Sequence, residues 1–343
     1  MLRQIDNYPA YLDAAWQQHL APRKPDAPTV ISTFAGAGGS SLGYSMAGYR
    51  ELLAVEWDNN AAETFRLNFP DVPVYHGDIA ELSVEECMTL AGLTQPGQLD
   101  VLDGSPPCQG FSTIGKRDFG DGRNQLFREF VRLLRGLRPK VFVMENVSGM
   151  VKGKMKIIFA DILRELKASG YVVSARLLNA MWFGVPQSRA RMIFIGVRED
   201  LGIAPSHPRA ENRPICALCA TEGVIDLVPN PAKWRSFNVA QRKLSHHKPA
   251  PTLDANALVP GSAAPFDLTG VRIGAERYAV IGSYPDAFVF SGTWKNKLVR
   301  IGNSVPPLFM RSIARHVKAE VLERMATAFP GIEIERIADD GRQ

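Results

Sequence analysis

Gly104-Ser105-Pro106-Pro107-Cys108-Gln109-Gly110-Phe111-Ser112 follows directly on an apolar run, Leu99 to Leu102. The run reads as a buried strand. The Pro-Pro pair restricts two consecutive φ angles, so the thiol of Cys108 is presented on a stiff turn at the strand's end. Gly110 frees the chain beyond it. Downstream, Leu126, Phe127, Phe130, Val131, Leu134 and Leu137 repeat with helical spacing. A second apolar run, Val141 to Met144, then ends in Glu145-Asn146-Val147. Strand, helix, strand is the unit of a parallel sheet. If the two runs are neighbours, a nucleophile and an acid stand together at one end of that sheet.

The same alternation extends outward in both directions. Short β-rich runs occupy Val30–Phe34, Leu52–Trp57, Val72–Tyr75, Val172–Leu178 and Met192–Val197, and Ile157, Ile158, Ile162, Leu163 and Leu166 form another helical stripe. The pattern predicts an α/β fold, a mostly parallel sheet with helices on both faces. Residues 1–28 form an N-terminal extension, a short helical pattern followed by the Pro-rich link Ala21 to Pro25. From about Glu199 prolines become frequent (Pro205, Pro208, Pro214, Pro229, Pro231, Pro249, Pro251), which breaks long helices and marks a smaller irregular module. A last helical pattern, Leu308 to Met325, closes the chain. The predicted division is an extension over 1–28, a sheet domain over 29–198 and 293–343, and the irregular module over 199–292.

With 343 residues, 45% of them hydrophobic, the chain can bury a full core. No apolar run reaches the ~20 residues needed to cross a bilayer, and Met1 to Gln18 has no signal-peptide pattern, so a cytoplasmic protein without membrane contact is expected. The net charge of +5 suits a polyanion partner. Its distribution says more: Lys116, Arg117, Arg123, Arg128, Arg132, Arg135 and Arg138 crowd the segment after the thiol. Lys233, Arg235, Arg242, Lys243 and Lys248 gather around Trp234 and Phe237. A basic cluster beside a candidate nucleophile makes nucleic acid the leading partner.

Phe34-Ala35-Gly36-Ala37-Gly38-Gly39 follows the first strand and opens a helix. Glycines there permit a tight turn and close approach of a ligand to the backbone. Glu56, ending the second strand about 20 residues on, can accept both hydroxyls of a ribose. Asp78, in Gly77-Asp78-Ile79 after the third strand, is placed to bind an adenine amino group. Acids at successive strand ends, with no phosphate-gripping Lys, suit a nucleoside without phosphates, and favour S-adenosyl-L-methionine over a dinucleotide.

These strings resemble the cytosine-5 DNA methyltransferase family. FAGAGG, EWD, GDI, SPPCQGFS, ENV, QSRAR and GNSVPP stand in the family's order across residues 30 to 315. The resemblance implies a Rossmann-like methyltransferase sheet, with residues 199–292 as a target-recognition domain. It implies that Cys108 attacks carbon 6 of cytosine, that Glu145 contacts ring nitrogen 3 and the exocyclic amine, and that Arg191 holds the carbonyl oxygen. Arg189 would brace the nucleophile loop. Phe34, Gly36, Gly38, Gly39, Glu56, Trp57, Asp78, Ile79, Pro107, Leu126 and Asn303 would line the S-adenosyl-L-methionine pocket. Double-stranded DNA is the implied substrate, and a cognate restriction endonuclease the implied partner in the same system. A tRNA cytosine-5 methyltransferase would share these motifs, and a non-catalytic DNA-binding regulator is the rival of another class.

The chemistry requires these residue types independently. Carbon 5 of cytosine is a poor nucleophile until a thiolate adds at carbon 6 and makes it enamine-like, and a base must then remove the carbon 5 proton before the thiolate leaves. Nearby Arg side chains and backbone donors favour the thiolate. A base inside a duplex cannot reach such a thiol, so the nucleotide must rotate out of the stack. Residues 110–122, with four glycines, Lys116 and Arg117, suit a loop that folds over DNA.

Three departures from the family pattern stand out. Ser32 and Thr33 precede Phe34 where relatives often carry an acid. Residues 270–286 match the usual segment loosely. Lys248 to Leu253 resembles the end of the variable region, which leaves that region short, about 200–245. Within it Cys216-Ala217-Leu218-Cys219, with His246 and His247, has zinc-like spacing. A lone CxxC among apolar neighbours reads instead as two small buried residues, and no metal and no disulfide framework is expected.

Overall fold

A computed structural model describes residues 2–107, 125–151, 155–225, 244–253, 255 and 273–328. Its strands are β1 (Thr29–Thr33), β2 (Arg50–Glu56), β3 (Val74–His76), β4 (Val101–Gly104), β5 (Val141–Val147), β6 (Tyr171–Asn179), β7 (Gln187–Ser188), β8 (Ala190–Arg198) and β9 (Ala250–Pro251). Its α-helices are α1 (Tyr8–Leu20), α2 (Gly39–Met46), α3 (Asn59–Asn68), α4 (Val84–Leu90), α5 (Gln125–Leu137), α6 (Met155–Lys167), α7 (Ala217–Ala220), α8 (Ala275–Ile281), α9 (Trp294–Asn303), α10 (Pro307–Val317) and α11 (Glu323–Ala328).

Each apolar run of the sequence is a strand of one seven-stranded sheet, in the order β3-β2-β1-β4-β5-β8-β6. The first five strands are parallel. β8 runs antiparallel to both β5 and β6. The reversal has a simple cause: β6 returns to β8 through residues 180–189 without a covering helix, and a connection of that kind serves an antiparallel pair.

Side chains alternate across the sheet as a pleat requires. Val30, Val101, Val141 and Val143 face one core with Leu42, Tyr44, Phe309 and Ile313 of α2 and α10. Ile31, Leu102, Phe142 and Met144 face a second core with Phe130, Leu133, Leu134, Ile162 and Leu166 of α5 and α6. Burial on both faces is what the near-continuous apolar runs encode.

The helix ends are set locally. Asp58 caps α3 by accepting from the Ala61 N–H, Ser83 caps α4 through Glu86, and Thr293 with Asn296 forms a reciprocal box at the start of α9. Strand order reverses between β1 and β4, where Thr33 pairs with Gly104. In open parallel sheets that crevice, beyond the strands' carboxyl ends, is where ligands bind.

One expectation is overturned in the irregular segment. Cys216 and Cys219 are joined as a disulfide. Cys219 is exposed and Cys216 half-buried, so they are not two small core residues. Cys216 precedes the single turn of α7, which brings the two Cα atoms to 5.3 Å, within bridging distance.

Candidate active site

The turn after β1 has the strained geometry that a glycine-rich loop permits. Phe34, Gly36 and Gly38 have φ of 55°, 57° and 90°. A Cβ on Gly38 would stand 2.6 Å from the Phe69 ring, and one on Gly39 would stand 2.0 Å from Ser304 Oγ. The second contact places Gly-Asn-Ser, at the end of α9, directly against the start of α2. Asn303 itself is exposed beside that contact.

Glu56 ends β2 with its carboxylate held from three sides. Oε2 accepts from the Gly36 N–H at 2.7 Å, while Oε1 accepts from the N–H groups of Trp57 at 3.0 Å and Asp58 at 2.8 Å. Glu56 is buried, but the neighbouring Trp57 side chain is 77% exposed. Asp78 is exposed after β3, its Oδ1 accepting from the Ala80 N–H, and Ile79 is buried beneath it. Phe34 and Leu126 are half-buried against the α5 core.

Beyond β4 the chain is described as far as Pro107, which is exposed. Cys108, the expected loop over 110–122, and the basic residues Lys116, Arg117 and Arg123 lie outside the described residues. So do Lys233, Trp234, Arg235, Phe237, Arg242 and Lys243. The turn that leads to Cys108 is nonetheless tied to β5: Asn146 Nδ2 donates to the Pro106 carbonyl at 3.2 Å. Glu145, adjacent to that tie, is buried and accepts Arg191 Nε at 2.7 Å. Register places Arg191 opposite Val147, so β8 delivers the cation to the end of β5.

Arg189 is buried, and its guanidinium donates to the carbonyls of Leu253 at 3.2 Å and Gly302 at 3.1 Å. It therefore joins α9 to the segment after β9. Gln187 supports the same junction by accepting from the Leu253 N–H at 3.0 Å.

Sequence reasoning missed several supporting residues. Arg300 on α9 grips Asp58 with both guanidinium arms, at 3.0 and 3.2 Å, and so fixes the turn that carries Trp57. Arg132 donates to the carbonyls of Ile79 at 2.9 Å and Leu82 at 2.7 Å and pairs with Glu129. Arg135 pairs with Glu165. Arg132 is thus spent on the fold, because a helix packed on a strand-end turn meets bare carbonyls there, whereas the Arg135–Glu165 pair lies at the surface. Asn146 was legible only as part of the ENV string.

A second buried polar cluster underlies α2. Tyr44 donates to Asp103 Oδ1 at 3.2 Å, and Ser41 donates to Glu51 Oε1 at 2.8 Å. Burial raises the Asp103 carboxyl well above its ordinary value, and Glu51 adds to the rise. Burial pushes Glu51 up to about 7, against the lowering effect of the nearby Ser32 and Ser41 hydroxyls. Its Oε2 has no partner.

The family model for C-5 cytosine-specific DNA methylase matches residues 28–256. Type II methyltransferase M1.HphI of Haemophilus parahaemolyticus is 34% identical over 326 residues, 84% of this chain and 86% of that relative. Type II methyltransferase M.DdeI of Desulfomicrobium norvegicum is 30% identical over 84% of this chain and 88% of its own length. Among solved structures, a prophage-encoded E. coli protein described as a DNA modification methyltransferase superposes with a TM-score of 0.72 at 24% identity, over 86% of this chain and 100% of that one.

Proposed function

We propose a residue-level mechanism for this chain, which belongs to the C-5 cytosine-specific DNA methylase family and is a DNA cytosine-5 methyltransferase. The observation that carries it is the junction of β4 and β5. One hydrogen bond, from Asn146 to Pro106, links the turn entering Cys108 to the residue beside Glu145, and Arg191 holds the Glu145 carboxylate. A nucleophile and a charge-organised acid then approach one pyrimidine ring from adjacent strand ends.

In this mechanism the Cys108 thiolate adds to carbon 6 of a cytosine rotated out of the duplex. Glu145 holds ring nitrogen 3 and the amine, and shares a proton as charge builds on the ring. Arg191 orients Glu145 and approaches the ring carbonyl. After methylation a base takes the carbon 5 proton, the carbon 6–sulfur bond breaks, and the thiolate is restored.

The donor side fits S-adenosyl-L-methionine. Glu56 is locked by three backbone donors yet keeps lone pairs for ribose hydroxyls, and Trp57 offers a bare aromatic face beside it. Phe34, Gly36, Gly38, Gly39, Asp78, Ile79, Pro107, Leu126 and Asn303 complete the proposed pocket. When bound, the donor supplies an electrophilic sulfonium methyl. The chain's part is to hold it at the β1–β4 crevice, next to the Cys108 turn.

Residues 199–292 serve in this reading as the target-recognition part, and residues 29–198 with 293–343 as the catalytic part. The family members compared carry Type II names, which supports a partner endonuclease in this reading, and a cytoplasmic location is part of the same proposal. Among the described residues no helix is long and apolar enough to cross a membrane.

Labelled methyl transfer to duplex DNA, with tRNA as the competing substrate, tests the substrate, and bisulfite mapping of DNA from expressing cells locates the site. Methylation of duplex DNA at one short sequence is expected. Transfer to tRNA alone overturns the reading.

A further inference from the structure

Residues 2–27 precede every motif discussed so far, yet they are packed onto the donor side of the molecule. α1 buries Tyr8, Leu12 and Ala15 in the same core as α2 and α10. Its attachment is polar as well as apolar. Arg315 of α10 donates to Gln18 Oε1 at 2.9 Å, and the Arg311 guanidinium lies over the Tyr11 ring, 5.1 Å from its centroid, and donates to its hydroxyl. Upstream, the Arg3 N–H donates to the Glu211 carbonyl at 2.9 Å, and the Arg213 N–H returns to the Arg3 carbonyl at 2.8 Å. The segment is therefore held at both ends.

Its last turn reaches the glycine loop in two steps. The His19 ring stands edge-on to Phe69, with centroids 5.3 Å apart, and Phe69 stacks on Phe65 at 4.6 Å. Those two rings are the surface against which Gly38 turns, since a Cβ there would lie 2.6 Å from Phe69 and 3.2 Å from Phe65. His19 is fixed in place by Ser45 of α2, Nδ1 to Oγ at 2.7 Å. Arg23 locks the same hydroxyl at 2.5 Å, and also donates to the carbonyls of His19 at 2.6 Å and Tyr49 at 3.0 Å. Trp16 covers the other side of the imidazole at 4.6 Å. Burial, with Arg23 beside it, lowers the His19 pKa to about 4, so the wedge is a neutral ring at neutral pH.

We propose that the N-terminal segment is a positioning element of the donor site: His19, set by Arg23 and Ser45, presses Phe69 against the Gly38 turn and holds that turn in its donor-binding conformation. His19 touches no reacting atom and acts through Phe69. The Gly38 turn has φ of 90° and carries the loop whose Gly36 N–H meets Glu56, so slack at Phe69 is transmitted to the ribose acceptor. The inference rests on the donor-site reading given above.

The test uses the full chain and measures KM for S-adenosyl-L-methionine, KM for duplex DNA and kcat. His19→Ala is expected to raise the donor KM about five- to tenfold, leaving the DNA KM and kcat at saturating donor within about twofold. His19→Phe, which keeps a flat ring against Phe69, is expected to recover most of the donor affinity. Tyr171→Phe removes a buried hydrogen bond to the Pro139 carbonyl, far from the loop, and serves as a control that loses stability alone. A His19→Ala protein that melts earlier, as that control does, but has an unchanged donor KM overturns the proposal. If His19→Ala does not fold, Arg23→Gln loosens the same wedge and the same two outcomes decide. Glu56→Gln separates the two claims. If it weakens the donor and His19→Ala does not, the inference alone fails; if Glu56→Gln also leaves donor KM unchanged, the donor-site reading fails and the inference with it.

Discussion

Replacing Glu51 with Gln should stabilise this protein by about 1–2 kcal/mol at pH 8 and leave it unchanged or less stable by up to about 1 kcal/mol at pH 5. The Glu51 side chain leaves the start of β2 and ends beneath α2, where Ser41 donates to one carboxylate oxygen and the other is buried without a partner. Burial raises the folded-state pKa from the ordinary 4.5 to about 7. Between those values the unfolded chain has released the proton while the folded chain keeps it. The stability associated with Glu51 is thus full below pH 4.5 and is lost as pH rises through 7. At about 1.4 kcal/mol per pH unit, the handicap reaches about 3 kcal/mol at pH 8 and about 1 kcal/mol at pH 5. Gln keeps the acceptor for Ser41, but its amide N–H groups take the unpartnered place at a cost of about 1–2 kcal/mol. That cost does not depend on pH. The difference between variant and parent should therefore grow by about 2 kcal/mol from pH 5 to pH 8, or about 3 °C in Tm for a chain of 343 residues. Thermal melts of both proteins by circular dichroism at pH 5, 6, 7 and 8 measure it. A Tm difference that stays constant across the series, or shrinks toward pH 8, would refute a buried protonated carboxyl beneath α2.

Gly39→Ala should lose about 3 kcal/mol or more, because its methyl would meet Ser304 Oγ at 2.0 Å and the Val305 carbonyl at 2.4 Å; denaturant melts check this, and a loss under 1 kcal/mol counts against the close packing of α2 on the end of α9. Arg300→Ala removes the two-armed grip on Asp58 and should weaken donor binding about tenfold with DNA binding unchanged, read by calorimetric titration of each ligand. Asn146→Ala releases the Pro106 carbonyl and should lower kcat at least tenfold with both KM values preserved; an unchanged single-turnover rate would remove Asn146 from the support of the nucleophile turn.

The sheet was legible because burial on both faces leaves runs such as Val141 to Met144 with no polar interruption, and seven of them appear as seven strands. The reversed β8 was not legible, since a parallel and an antiparallel strand buried on both faces carry the same composition. Glu56 and Glu145 were readable from their places at strand ends, and Arg191 only from the QSRAR string of the family resemblance; Glu145 and Arg191 do meet. Arg300, Arg132 and His19 were not. Each acts on a residue at least 50 positions away, through a carboxylate, bare carbonyls or an aromatic ring, and no local spacing encodes such a partner. Arg132 shows the converse: charge counting assigned it to a polyanion, while the fold uses it internally. The Cys216–Cys219 link likewise depends on the backbone at α7, which sets the separation of the two thiols and is not written in the CxxC string.

The central claim is that Cys108 bonds to the target cytosine. DNA carrying 5-fluorocytosine at the methylation site measures it most directly, because fluorine at carbon 5 cannot leave as a proton and the carbon 6–sulfur bond then persists. With S-adenosyl-L-methionine present, a denaturation-resistant protein–DNA species linked at Cys108 is expected on peptide mapping, and none with Cys108→Ala. A wild-type enzyme that methylates ordinary DNA yet never forms that species, or forms it through another residue, would contradict the account.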